Sequence, residues 1–260
     1  MSKINVVGIP ISTTSYEGVV KSVNQWLTQR TAQSSHAKYI CVTSVHGIIT
    51  ARTDEQLRAA LNDADIATPD GMPVVWALRS FGATEQRRVY GPTLMLRLCE
   101  AAARRGSGIF LYGGRPEVLP QLRQRLSAKV PGLKIAGMYS PPFRPLSSEE
   151  DAEIIRMIRE SGADLIFVGI STPKQEKWMA DHRDHFPGTV MTGVGAAFDF
   201  HAGRVKQAPA WIQRAGFEWL FRLTMEPARL WRRYLLVTPQ FLPLWGLQKV
   251  RSVLEERSAG

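Results

Sequence analysis

The sequence predicts an α/β fold: a mainly parallel sheet with helices packed on both faces. Short runs rich in Val, Ile and Phe alternate with amphipathic stretches, and the runs are apolar throughout, as strands covered on both faces require. Size agrees, because 260 residues of which 44% are hydrophobic can bury one large core or two small ones.

In chain order, "MSKINVVGIPIS" carries one lysine, a short apolar run and then Pro and Ser, which is not the pattern of a secretion signal. The chain is therefore expected to stay in the cytosol. Amphipathic stretches at 16–30, 47–62, 92–105, 117–129, 148–161 and 174–185 read as helices. Between them "KYICVT" (38–43), "GIFLYGG" (108–114), "LKIAGMYS" (133–140), "ADLIFVGIS" (163–171) and "GTVMTGVG" (188–195) read as buried strands. A short strand "IAT" ends in the turn Pro69-Asp70-Gly71, with a helix expected from about Met72. Cys41 and Cys99 lie in apolar runs with neither metal-type nor disulfide-type spacing, which suits core positions in a reducing compartment.

In open parallel sheets ligands bind beyond the C-terminal strand ends, so the strand exits are where chemistry belongs. "FLYGGRPE" puts Gly113 and Gly114 between strand and helix, "VGISTPKQE" puts Pro173 at a helix start, and "GVGAAFDF" again has close glycines. Free backbone N–H groups at such helix starts suit a phosphate or diphosphate. None of the three is a full dinucleotide fingerprint or P-loop, so tight turns and a nucleotide site both stay open.

Asp70 has two readings: a cap for the helix after it, or a carboxylate at a strand exit that takes a proton from a hydroxyl nucleophile. Asp63 and Asp65 in "DAD" resemble a metal-chelating D-x-D, but they precede a strand instead of following one. His182 and His185 could be paired ligands, although their charged neighbours suit a solvated face better. His46 and His201 stand alone in sequence. No serine-hydrolase elbow, H-E-x-x-H or cysteine-rich ligand set occurs.

The formal charge of +10 points to an anionic partner: nucleic acid, a phosphate-rich ligand or a membrane surface. From Trp211 to Arg251 seven Lys or Arg and eight aromatics face two acids, and Pro227 and Pro239 divide the segment into short helices. Arg222, Arg229 and Arg232 fall close to one helical face if the break at Pro227 is mild. That strip can meet anionic headgroups while Trp219, Trp231, Phe241 and Trp245 enter the interfacial zone; a basic amphipathic helix packed on the domain is the plainer reading. No uncharged apolar run is long enough to span a bilayer, so membrane contact is expected to be peripheral.

The ordered blocks "TPDGMPVVWA", "RVYGPTLM", "FLYGG", "VGISTPKQEKWM", "GVGAAFDFHAGRVKQAPAWIQRAGFEWLFRL" and "EPARLWRRYL" resemble the bacterial WecG/TagA/CpsF glycosyltransferases over nearly the whole chain. The resemblance implies a Rossmann-like fold and metal-independent, cofactor-free, inverting transfer from a UDP-sugar to a polyprenyl-diphosphate-linked sugar on the cytosolic membrane face. It implies a catalytic α/β domain over 1–205, with the acceptor and base in the part up to about 90 and the nucleotide-sugar site in about 91–205. A helical membrane-targeting appendage over 206–260 follows. Asp70 corresponds to the base and Thr43 to its neighbour. Arg88 is placed near the donor diphosphate, Gln175 and Asp199 in the nucleotide-sugar pocket, and Arg222, Arg229 and Arg232 at the lipid diphosphate; the glycine loop of Gly113 and Gly114 is assigned to the UDP-sugar on its strand-exit placement. A homo-oligomer is compatible with the resemblance.

Where many members read Thr-Pro-Asn, this chain reads Thr43-Ser44-Val45 and lacks the asparagine amide. With overall similarity, this favours the xanthan- and acetan-type exopolysaccharide glucosyltransferases, which add glucose in β-1,4 linkage. A UDP-N-acetylmannosamine or mannosaminuronate donor is the alternative. Nucleic-acid binding is the rival class, disfavoured because the aromatics sit in proline-broken helical segments without an RNA-binding signature; a non-enzymatic membrane scaffold is the other.

Overall fold

A computed structural model describes residues 1–31, 34–209, 211–212 and 216–258. An N-terminal hairpin comes first, β1 (Lys3–Val6) with β2 (Ile9–Ser12), then α1 (Tyr16–Thr28), β3 (Lys38–Thr43), α2 (Val45–Thr50), α3 (Glu55–Asn62), β4 (Ile66–Pro69) and α4 (Met72–Ser80). The chain continues through α5 (Gly91–Arg105), β5 (Gly108–Gly113), α6 (Val118–Lys129), β6 (Lys134–Tyr139), α7 (Ser148–Glu160), β7 (Leu165–Gly169), α8 (Lys174–Asp181), β8 (Val190–Gly193) and α9 (Ala197–His201). The central sheet has six strands, all parallel, in the order β4-β3-β8-β7-β5-β6. The expected α/β class and all six expected strands are present, with several strand ends trimmed.

Alternation along each strand divides the interior into two layers. In β3, Tyr39 and Cys41 face the layer of α2, α3, α4, α7 and α8, while Ile40 and Val42 face α1, α5, α6 and α9. Cys41 and Cys99 are both free and buried, one in each layer.

Local chemistry sets the helix limits. Ser15 caps α1 by accepting the Gly18 N–H, and a reciprocal capping box of Ser147 and Glu150 starts α7. The single helix expected over 47–62 is two, because the Asp54 carboxylate accepts the Leu57 N–H at 3.0 Å and begins α3 afresh. The hairpin escapes a reading by run length, since each strand is only four residues long. Its turn, Val7 (φ +52°) and Gly8 (φ +89°), has the paired positive φ of a two-residue connection. It shields the outer side of β4, where Ser12 Oγ accepts the Ala67 N–H at 3.1 Å.

Beyond the sheet lie α10 (Glu218–Met225), α11 (Pro227–Trp231), a π-helical turn (Arg232–Val237), a short 3₁₀ turn (Thr238–Gln240) and α12 (Phe241–Ser258). Pro227 opens α11, as expected of proline at a helix start. The break before it is not mild: Glu226 has φ −136° and ψ 58°, so Arg222 and Arg229 belong to different helices instead of one face. α12 docks on the hairpin and on the end of α4. Gln248 accepts the Val7 N–H at 2.7 Å and donates to the Asn5 carbonyl at 2.8 Å, and Lys249 donates to the Ser80 carbonyl. Phe241 is buried in the core and Trp245 donates to Ser80 Oγ, so neither is presented as an interfacial anchor, contrary to expectation. Among the described residues no helix is long and apolar enough to cross a membrane.

The exits of β5 and β7 approach each other more closely than side chains permit. At Gly113 (φ +121°) a Cβ would lie 2.6 Å from the Gly169 carbonyl, and at Gly169 it would lie 2.8 Å from the Phe198 ring. Gly113→Ala is expected to lower stability by about 2–4 kcal/mol, through backbone strain and steric displacement together. Urea unfolding of the variant beside the parent chain measures it; a midpoint within error of the parent would contradict this account of the close approach.

Candidate active site

Thr43 ends β3 and Asp70 follows β4, and the register brings them together: the Asp70 N–H donates to the Thr43 carbonyl at 2.9 Å. Gly71, at φ +96°, turns the chain into α4 and is itself the N-cap, with no side chain capping the helix. The capping role for Asp70 therefore does not hold. Its Oδ1 instead accepts from Arg88 Nε at 2.8 Å, with Nη2 in ion-pair contact at the same distance. Arg88 reaches it because the Val89 N–H donates to the Pro69 carbonyl at 3.0 Å, laying this segment along the end of β4. The guanidinium also donates through Nη1 to Glu218 Oε2 at 2.6 Å and lies 4.2 Å from the Tyr90 ring centroid. Burial works against the Arg88 charge, but Asp70 and Glu218 outweigh it and hold its pKa above the ordinary value.

Asp70 Oδ2 makes no hydrogen bond among the described residues, and the side chain is 20% exposed. A carboxylate fixed through one oxygen and open at the other can accept a proton from a bound hydroxyl. It faces a cleft that α10 and the π-helical turn close from above, lined by Ser44, His46, Met72, Arg222, Arg233 and Tyr234 among others. Arg233 Nη2 donates to Ser44 Oγ at 3.2 Å. Arg222 Nε is buried without a hydrogen-bond partner among the described residues, and its guanidinium lies 5.5 Å from the Phe200 ring centroid. An unpaired cationic donor beside a cleft suits an anionic ligand. Arg232 is exposed and lies over Trp231, and the Arg229 side chain is outside the described residues. Arg222 and Arg232 are thus not on one strip, and of these two Arg222 lines the cleft.

A second group occupies the neighbouring strand exits. Gln175 is buried; its Oε1 accepts the Gly195 N–H at 3.0 Å and its Nε2 donates to Glu176 Oε1 at 3.0 Å, tying the end of β8 to α8. Asp199 is half-buried on α9, next to Phe198, whose ring packs on Gly114 and Gly169. Gly113 and Gly114 have a packing reason to be glycine, whatever else their loop holds. Ser171, before Pro173, sits at φ +68°, a costly backbone for a residue with a Cβ and of the kind found at functional strand exits.

Three participants escape a reading by spacing. Glu218 counts in sequence only as a tail acid, and just the folded chain sets it against Arg88. Glu176 is buried, with Oε2 unpartnered among the described residues; burial pushes its carboxyl above the usual range, against the pull of Thr172, Gln175 and Arg233. His46 is held down to about 4, by burial first and by the Arg233 charge second.

The remaining candidates are structural. Asp65 accepts the Tyr39 N–H at 2.9 Å and pairs with Lys38 at the N-terminal end of the sheet, away from the strand exits. His182 is not on a solvated face: it is buried, stacked 4.3 Å from Trp178 and bonded to Asp151 at 3.0 Å, while His185 is exposed. Among the described residues no group of three His, Cys, Asp or Glu side chains could hold a metal ion.

Comparison with known proteins adds two findings. The model of the glycosyl transferase WecG/TagA/CpsF family matches residues 4–254. An N-acetylglucosaminyldiphosphoundecaprenol N-acetyl-beta-D-mannosaminyltransferase of Bacillus spizizenii is 34% identical over 187 residues, which cover 72% of this chain and 70% of that relative.

The depressed pKa of His46 makes a stability prediction. Its folded-state value, about 4, lies below the unfolded one, so its contribution is complete above about pH 6.5 and is lost as pH falls through the folded value. With allowance for partial exposure, the chain is expected to lose about 1–2 kcal/mol between pH 7 and pH 5 through this residue. His46→Gln should remove that share of the slope in urea unfolding, and an unchanged slope would contradict it.

Proposed function

Because the chain belongs to the WecG/TagA/CpsF family of glycosyl transferases, we propose that it moves N-acetylmannosamine from a UDP-sugar to a polyprenyl-diphosphate-linked sugar, with inversion. The observation that carries the reading is Asp70, fixed by Arg88 through one carboxylate oxygen and open to the cleft through the other. The glucose donor expected from overall similarity gives way, because the relative quoted above is named for N-acetylmannosamine transfer to a diphosphoundecaprenol-linked sugar. Glucose stays as a second reading on one observation: buried Val45 lines the cleft where the resemblance expects an asparagine amide.

In an inverting displacement the acceptor hydroxyl attacks the anomeric carbon opposite the leaving UDP, and one carboxylate suffices to take its proton. Asp70 Oδ2 takes that role, with buried Thr43 beside it. The UDP-sugar lies along the exits of β5, β7 and β8, near Gly113, Gly114, Gln175 and Asp199. Arg88, already held between two carboxylates, orients the base and offers positive charge to the departing diphosphate. Arg222, with its unpartnered Nε, receives the acceptor's lipid diphosphate, and exposed Arg232 adds positive charge to the segment that meets the membrane. Exposed Trp219, Leu220, Trp231, Leu235 and Leu236 lie in the same segment and supply the apolar part of peripheral binding.

The direct test is radiolabelled transfer by purified protein to N-acetylglucosaminyl-diphosphoundecaprenol, with UDP-N-acetylmannosamine beside UDP-glucose. Label from the first donor is expected in the lipid product; label from UDP-glucose alone would select the second reading, and label from neither would count against both. Asp70→Asn should reduce turnover by about three orders of magnitude or more while UDP binding persists. Turnover close to that of the parent chain would remove Asp70 from the base role.

A further inference from the structure

The geometry points to Glu218 as a positioning residue for the transfer reaction, acting through Arg88 to set the proton affinity and the free oxygen of Asp70. The inference rests on the reading of Asp70 as base. Arg88 is shared: Nε and Nη2 hold Asp70 Oδ1, each at 2.8 Å, while Nη1 holds Glu218 Oε2 at 2.6 Å. All three side chains are at least four-fifths buried, with exposures of 17% for Arg88, 20% for Asp70 and 9% for Glu218, so solvent screens these charges little.

Two consequences follow from the sharing. Glu218 divides the Arg88 charge between two carboxylates, so that the guanidinium is not left to Asp70 alone. It also anchors Nη1, so that Arg88 cannot turn its full donor fork onto both oxygens of Asp70, which would block Oδ2. Glu218 is itself held in place at the first turn of α10, where a negative charge meets the positive end of the helix dipole.

The other groups around Asp70 do not repeat this role. Tyr16 from α1 and Tyr90 are neutral phenols whose pKa values burial raises. His46 from α2 is neutral near pH 7, and Arg222 from α10 and Arg233 from the π-helical turn add positive charge to the same cleft. Among the described cleft residues Glu218 is, beside Asp70 itself, the carboxylate that pairs with Arg88.

Glu218→Gln keeps the shape and removes the charge. The variant is expected to move the Asp70 titration, read by ¹³C NMR of the carboxyl and identified by its loss in Asp70→Asn, about one pH unit lower. The acid limb of the kcat/KM profile should follow it, with kcat reduced about tenfold and the affinity for UDP unchanged. Glu218→Asp, which restores the charge, should recover part of both effects. An Asp70 titration and acid limb unchanged in Glu218→Gln would overturn the inference, even if activity fell, because a role limited to packing moves neither. If Glu218→Gln fails to fold, the comparison passes to Glu218→Asp, whose longer reach to Arg88 should shift the titration in the same direction by less; no shift there would overturn it equally. Failure of the parent reading looks different, since it appears as retained turnover in Asp70→Asn.

Discussion

One guanidinium joins the two ends of this chain. Arg88 holds Asp70, at the exit of an edge strand of the sheet, and Glu218, in the first turn of the helices that follow the sheet. A cation this buried is tolerated because both its neighbours are carboxylates, and each carboxylate is tolerated because of the cation. The arrangement leaves net negative charge within the triad, positive charge on Arg222 and Arg233 across the cleft, and one open oxygen on Asp70. Removal of Arg88 leaves two buried carboxylates without their cation, and removal of either carboxylate leaves the guanidinium to the other alone, so geometry and electrostatics in the cleft depend on all three.

The sheet supplies the platform for this interaction. Parallel strands end on the same side, so β3 and β4 deliver Thr43 and Asp70 together, and the adjoining exits deliver Gln175, the glycines and Asp199. Close backbone approach at Gly113 and Gly169, with Phe198 wedged against them, holds those exits near one another. The β4 side of the edge is closed by the hairpin and by α12, whose Gln248 and Lys249 bond to backbone groups there. The segment above the cleft is therefore anchored at both ends: Glu218 binds Arg88 at its start, and α12 packs on the hairpin at its finish.

That segment divides its residues between two tasks. Phe241 and Trp245 pack inward, whereas Trp219, Trp231, Leu235 and Leu236 remain exposed, with Arg232 over the Trp231 ring. The same sequence composition thus contains docking residues and residues free to meet another surface, and only the direction of each side chain separates them.

The sequence by itself determined the fold class, the six sheet strands and the turn that carries Asp70, because apolar runs, helical periodicity and turn chemistry are local signals. It also marked the tail as basic and aromatic, since composition needs no coordinates. The tertiary structure decided which charges meet. Arg88 and Glu218 are 130 positions apart, and no periodicity links them. The break at Glu226 undid a one-face reading of Arg222 and Arg229, because a single residue's backbone angles rotate everything beyond it. His182 has charged sequence neighbours yet is buried, since burial depends on which element packs above a residue, here α7 through Asp151. Local pattern specifies elements, whereas long-range packing specifies the partners of each ionisable group, and the chemistry of the cleft resides in those partners.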